Sequence, residues 1–240
     1  MWPKDISAYG YWVDDTMILV SVITVAVAIL SFVIIVYSLI AFRQSRNIQA
    51  TRRLGAISKL VYLDVVLLVL DIVIVSFSSI GWSHVIQGRN ELIKEHKNYV
   101  ETRVIGRQFF WSFVYPGLDR KFGTNDDFTL GNYLVVPVDT TVILTLTSGD
   151  VIHSLFIPNL RVKYDAVPGR ETTEWFIAKR VGDYPITCTQ LCGSGHFMMQ
   201  ARLKIVKKDE YERFLNNYRA WLEEQNSKSE YTAYGEYNHN

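Results

Sequence analysis

The segment Cys188-Thr-Gln-Leu-Cys192-Gly-Ser-Gly-His196-Phe-Met-Met199 places two thiols, an imidazole and a thioether within twelve residues. Thiolate and thioether are soft ligands that suit copper, and imidazole completes such a donor set. Gly193 and Gly195 allow the chain to wind tightly around an ion, because glycine accepts positive φ without steric penalty. Cys188 and Cys192 are the only cysteines in the 240-residue chain, and it has five histidines. His153, in Asp150-Val-Ile-His153-Ser154, follows a turn, where a neighbouring strand can bring it to the loop. Blander chemistry accounts for parts of this cluster. The cysteines can form a disulfide in an oxidising compartment. Both cysteines and both histidines can hold a structural zinc, which takes four N/S ligands. Met199 can be core packing. None of these accounts for the joint arrival of two Cys, two His and a Met.

The elements that must position these residues are short and β-like. From about Thr102 to Val206 the chain alternates runs rich in Val, Ile, Thr, Phe and Tyr with turn residues. The runs are Asn132–Val136, Thr140–Thr147, Glu174–Ala178, Tyr184–Cys188 and Met199–Val206. Such spacing predicts a small β-sandwich or barrel. Thr141–Thr147 alternates as a strand with one buried face does. Glu91–Glu101 is charged and reads as a linker. Asp209–Glu224 puts Phe214, Leu215, Tyr218, Trp221 and Leu222 on one helical stripe, and Gln225–Asn240 is a polar tail.

The N-terminal third is of another kind. Met17–Phe42 is 26 residues without a charge, and about 20 apolar residues suffice to cross a bilayer as helix. Leu60–Trp82 is a second span, interrupted by Asp64 and Asp71. Between them lie Arg43, Arg46, Arg52, Arg53 and Lys59 with no acid, which holds this loop in the cytoplasm and puts both chain ends outside. Intramembrane acids mark ion or proton routes or sit at the interface, and Asp64 and Asp71 share one helical face two turns apart. The net charge of +1 and the lack of a basic cluster point away from nucleic acid. No Cys-x-x-Cys-His is present, so no attached haem is expected. The expected organisation is therefore a transmembrane hairpin over 1–90 (spans about 17–42 and 60–82), an external β-domain over 91–206, and a C-terminal amphipathic helix and tail over 207–240.

The spacing Cys-x-x-x-Cys-x-x-x-His-x-x-Met resembles the dinuclear copper motif of cytochrome c oxidase subunit II. Three further features widen the resemblance to roughly Asp14–Val206: the two spans with a basic inner loop, Gln108-Phe-Phe-Trp111-Ser-Phe-Val-Tyr115, and Arg161-Val-Lys-Tyr-Asp165-Ala-Val-Pro168-Gly169-Arg170. It implies a membrane-anchored, cupredoxin-like β-sandwich with two copper ions in a mixed-valence centre bridged by Cys188 and Cys192. One copper would take His153 and Met199, the other His196 and the carbonyl of Gln190. The resemblance implies an electron-accepting subunit of a terminal respiratory oxidase. Its partners would be subunit I, which carries haem, subunit III and a cytochrome c donor, in a bacterial inner membrane with the copper domain in the periplasm. It also suggests proton uptake at Asp64 and electron acceptance at Phe109 and Trp111.

Three departures from the family pattern point to a divergent bacterial branch. Gln190 stands where many members carry Glu, so a magnesium ligand is not expected there. Phe109 replaces a common Trp, and the second span lacks the usual Trp-Thr and Pro. The competing function is a stand-alone, membrane-tethered copper-binding or copper-delivery protein, although such a protein needs neither bridging cysteines nor a second span.

Overall fold

The computed structural model describes residues 3–43, 57–95, 99–117, 120–218 and 220. The chain divides into two compact units, one of Tyr11–Glu91, the other of Met1–Gly10 together with Leu92–Asn240.

The first unit holds α1 (Gly10–Ala41) and α2 (Ile57–Glu95), two helices long and apolar enough to cross a membrane. The α1 helix begins seven residues before the charge-free run. The hydroxyl of Ser7 accepts the N–H of Gly10 at 2.6 Å and that of Tyr9 at 3.3 Å, satisfying donors that a first turn leaves open. Asp64 and Asp71 lie on the exposed surface of α2. The basic loop between Arg43 and Lys59 falls on residues 44–56, outside the described residues. The expected linker Glu91–Glu101 is largely structured: α2 runs to Glu95 and the first strand starts at Tyr99.

The second unit is a sandwich of two five-stranded sheets. One has the order β3 (Phe128–Gly131), β2 (Phe110–Tyr115), β1 (Tyr99–Arg107), β5 (Thr141–Ser148), β8 (Thr172–Ile177). The other has β4 (Tyr133–Pro137), β10 (Gln200–Val206), β9 (Gly182–Cys188), β6 (His153–Ile157), β7 (Val162–Ala166). The β1–β5 and β4–β10 pairs are parallel and the others antiparallel. The core between the sheets includes the fully buried Trp111, Phe113, Tyr115, Leu144, Leu155, Ile186 and Leu203. Each such side chain contributes roughly 1.5–3 kcal/mol by leaving water.

Sequence pattern and structure differ in four places. The aromatic run Phe109–Tyr115 alternates too weakly on paper for a half-exposed strand, yet β2, within it, alternates strictly in burial, Trp111, Phe113 and Tyr115 inward. Phe110 is apolar but faces outward, which hides the period. In β5, Thr141–Leu144 are buried on both faces, and alternation begins only after them. Ile143 is buried opposite Trp175, and Tyr9 packs edge-on against Trp175 at 4.8 Å between centroids. The N-terminal residues, assigned from sequence to the membrane hairpin, instead belong to the sandwich. Ile6 is in its core, Lys179 N–H donates to Ile6 O at 2.7 Å, and Ile6 N–H donates to Asn159 O at 3.0 Å. Finally, β10 starts at Gln200, one residue after the expected Met199.

Residues 208–218 form a helix on the sandwich. Tyr211 is buried, with Phe214, Leu215 and Tyr218 packed on the core. Tyr218 stacks on Phe128 at 4.2 Å, and Phe128 stacks on Tyr115 at 4.8 Å. Trp221, Leu222 and the polar tail lie outside the described residues.

Candidate metal centre

Strand register gathers the donors. In the second sheet β9 is flanked by both β10 and β6, with Leu155 opposite Cys188 and Gln200 opposite Thr187. The end of β9 and the starts of β6 and β10 therefore meet at one edge. His153 precedes Leu155 by two residues, so it lies on the same strand face and just beyond the end of β9. Residues 189–199 loop out from this edge and return: the Cys188 N–H donates to Met199 O at 3.1 Å, and the Thr189 N–H to Ser154 O at 3.0 Å. A 3-10 turn, His196–Met198, closes the loop, with Met199 N–H donating to His196 O at 3.2 Å.

The donors face one another. Sγ of Cys188 lies 4.0 Å from Sγ of Cys192 and 3.3 Å from the carbonyl oxygen of Gln190. Sγ of Cys192 lies 3.5 Å from Nδ1 of His196 and 3.8 Å from Sδ of Met199. Ligand atoms of His153, Cys188 and Cys192 all lie within 4.8 Å of one another. Both thiols are free and buried. Their separation is about twice an S–S bond. A tetrahedral zinc uses four N/S donors, whereas thiolate, thioether, imidazole and carbonyl converge here, a soft set suited to copper.

The residues fit a metal for a second reason. His153 is fully buried, and its Nε2 lies 2.7 Å from Oδ1 of Asp150, but its Nδ1 is buried without a hydrogen-bond partner. An unpaired buried polar atom costs about 1–3 kcal/mol. The tautomer with its proton on Nε2, donated to the carboxylate, leaves the Nδ1 lone pair for a metal, the arrangement that carboxylate–histidine pairs give metal ligands. Burial, then the neighbouring Cys188, pushes the Cys192 thiol up to about 11. Metal binding must therefore displace a proton from it. At Asp150 burial raises the carboxyl, but the Gln108 N–H, His153 and the Val151 N–H together hold it down at about 2.

The other expected residues separate. Met199 is buried against the thiols, whereas Met198 is exposed. The Gln190 side chain is exposed, and only its carbonyl turns inward. Phe109 is half-buried, its ring against the loop at Gly193 and Gly195. Trp111 is fully buried, edge-on to His153 with 5.8 Å between centroids, so any part it has in electron entry is without direct contact with a docked donor. The inward face of β2 puts it there. Sequence reasoning passed over Asp150 and Gln108. An acid three residues before a candidate ligand His, at a turn, was the available signal for Asp150; none marked Gln108.

A family model described as "Cytochrome C oxidase subunit II, periplasmic domain" matches residues 100–206. Cytochrome c oxidase subunit 2 of Alkalihalophilus pseudofirmus is 28% identical over 214 residues, covering 89% of this chain and 60% of that protein. That of Cereibacter sphaeroides is 29% identical over 244 residues, covering 89% and 75%. The alternative subunit 2 of Bradyrhizobium diazoefficiens is 33% identical over 147 residues, covering 52% and 50%. The chain thus spans less than two thirds of the length of the first and last of these relatives. The crystal structure of the periplasmic domain of subunit II of cytochrome oxidase of Bradyrhizobium japonicum matches with a TM-score of 0.47 and 27% identity, over 53% of this chain and 98% of that one.

Proposed function

We propose that this chain, whose residues 100–206 match the family model of cytochrome c oxidase subunit II periplasmic domains, is the electron-accepting subunit of a terminal respiratory oxidase. It takes electrons from cytochrome c at a dinuclear copper centre and hands them to haem in subunit I, where oxygen is reduced. The observation that carries this reading is the orphaned, buried Nδ1 of His153 beside two free, buried thiols.

Cys188 and Cys192 would supply thiolates to the centre, His153 and Met199 would be ligands on one side of it, and His196 and the Gln190 carbonyl on the other. When bound, a copper pair supplies one-electron redox chemistry with little change of geometry. The chain's own part is to keep that geometry fixed. Asp150 sets the His153 ring and its tautomer, and the buried Met199 closes the site from below. Leu191, Phe197 and Met198 expose apolar side chains around the loop, a contact surface for a donor, and Phe109 lies beside them. The Gln190 side chain offers no carboxylate, so no magnesium ligand is assigned to it.

The two spans anchor the chain in a bacterial inner membrane, with the sandwich in the periplasm beside subunits I and III. Asp64 takes up protons from the cytoplasmic side; Asp64→Asn should slow turnover of the assembled oxidase and leave copper untouched. Turnover in vesicles equal to wild type at every pH would return Asp64 to an interfacial role. The central test is metal analysis and electron paramagnetic resonance of the purified chain. Two coppers per chain with hyperfine structure shared over two nuclei support the reading. A single zinc, or a Cys188–Cys192 disulfide that excludes copper, overturns it.

A further inference from the structure

The turn between β1 and β2 touches both halves of the metal centre and supplies no ligand to it. On one side the backbone N–H of Gln108 donates to Oδ2 of Asp150 at 2.7 Å, and Oδ1 of the same carboxylate holds Nε2 of His153 at 2.7 Å. On the other side the Gln108 side-chain amide, through Nε2, donates to the carbonyl of Cys192. One residue thus bonds to the support of one ligand and to the backbone of another, 84 positions along the chain.

Close approach at glycines shows how tightly the turn is seated. A Cβ on Gly193, which has φ +138°, would lie 2.7 Å from Gln108 Nε2 and 3.0 Å from the Phe109 ring. One on Gly195 would lie 2.5 Å from that ring, and one on Gly106 would lie 2.9 Å from the His153 ring. The loop can lie against the Gln108–Phe109 pair only because no side chain intervenes.

We infer that Gln108 is a positioning residue of the metal centre, tying the Asp150–His153 turn to the Cys192 loop so that donors from two separate connections keep one spacing. This rests on the metal-centre reading above. The residue type follows from the partner: Cys192 O is an acceptor, so the tie needs an uncharged or cationic N–H donor at that reach, and a glutamate would turn a carboxylate against a carbonyl. Gln108 is itself exposed, so its amide adds little to folding, and its loss should be felt in the spacing of the donors.

The test uses the full chain with Gln108→Met, which keeps the length and removes the donor, and Gln108→Glu, which reverses it. Loaded with copper, both variants should retain two ions but lose them to a chelator about tenfold faster, the worth of one hydrogen bond of ordinary net strength. Their hyperfine pattern should also shift. Without metal, alkylation of Cys192 should speed up by a similar factor while the melting temperature stays at the wild-type value. Chelation rate, spectrum and alkylation all equal to wild type overturn the inference. A fall in metal-free melting temperature large enough to account for the changes also overturns it, by making Gln108 a residue of the fold. A wild-type chain that binds no copper defeats the metal-centre reading instead, and the alkylation arm, which needs no metal, still decides whether Gln108 holds the loop.

Discussion

His153 and His196 bring the same ring to one site from opposite kinds of structure. His153 opens a strand, is fully buried, has its far nitrogen fixed by Asp150 and touches Trp111 in the core. His196 starts a single 3-10 turn in a glycine-rich loop, is half-exposed, and has its Nδ1 only 3.5 Å from Cys192 Sγ. One side of the centre is part of the fold; the other is laid over it. On the proposed reading, a site built this way would hold one ion against the buried strand and the other in the loop nearer the surface.

The largest expected effect comes from removing what the two sides share. Cys188→Ser or Cys192→Ser should abolish the proposed dinuclear centre, since on that reading each thiolate would serve both ions. Metal analysis showing two coppers with an unchanged spectrum in either variant would break the bridging assignment.

Next, the two histidines should part company in the metal-free chain. His153→Ala empties a fully buried position and removes one of the Asp150 carboxylate's partners, so unfolding free energy should fall by about 2–4 kcal/mol. His196→Ala removes a half-exposed ring from a loop and should stay within about 0.5 kcal/mol. Denaturant melts of both variants check this, and equal losses would erase the distinction between wall and lid.

A smaller effect is set by pH. Asp150 titrates at about 2 in the fold against an ordinary 3.8. A folded-state value below the unfolded one means stability that is fully present above about pH 4 and lost as pH falls toward 2. Metal-free wild type should lose stability across that window, and Asp150→Asn should lose less there. Parallel pH profiles of the two would show that the carboxylate does not hold the His153 side.

The smallest effect lies at the weak donor. Met199→Leu should keep two coppers and raise the reduction potential, because a thioether leaves one ion. Met198→Leu, altering an exposed side chain, should change neither. Redox titration of the pair, with the outcomes exchanged, would place the thioether one residue away.

Much of this site was legible because its chemistry is local. Cys188, Cys192, His196 and Met199 fall in one loop, and soft donors between glycines leave few alternatives. The spans were legible for a similar reason: a bilayer selects for length and apolarity, which a sequence displays without reference to the rest of the fold. His153 needed more, since only the pairing of Leu155 with Cys188 brings it to the loop. Five strands, β1, β2, β3, β6 and β7, escaped pattern reading. Strand periodicity is visible only where one face is buried and the other polar, and β6 is buried on nearly every residue.

By itself the sequence determined the class of donor atoms, the two membrane spans and the β character of the domain between them, all properties carried by residue type and short-range spacing. Only the tertiary structure decided that Asp150 holds His153, that Gln108 reaches the Cys192 loop, and that the first residues of the chain belong to the sandwich. The last two contacts join positions 84 and, for Ile6 with Lys179, 173 residues apart, whereas Asp150 and His153 are only 3 apart. Long-range pairs are fixed by strand register and sheet order, which no local pattern encodes.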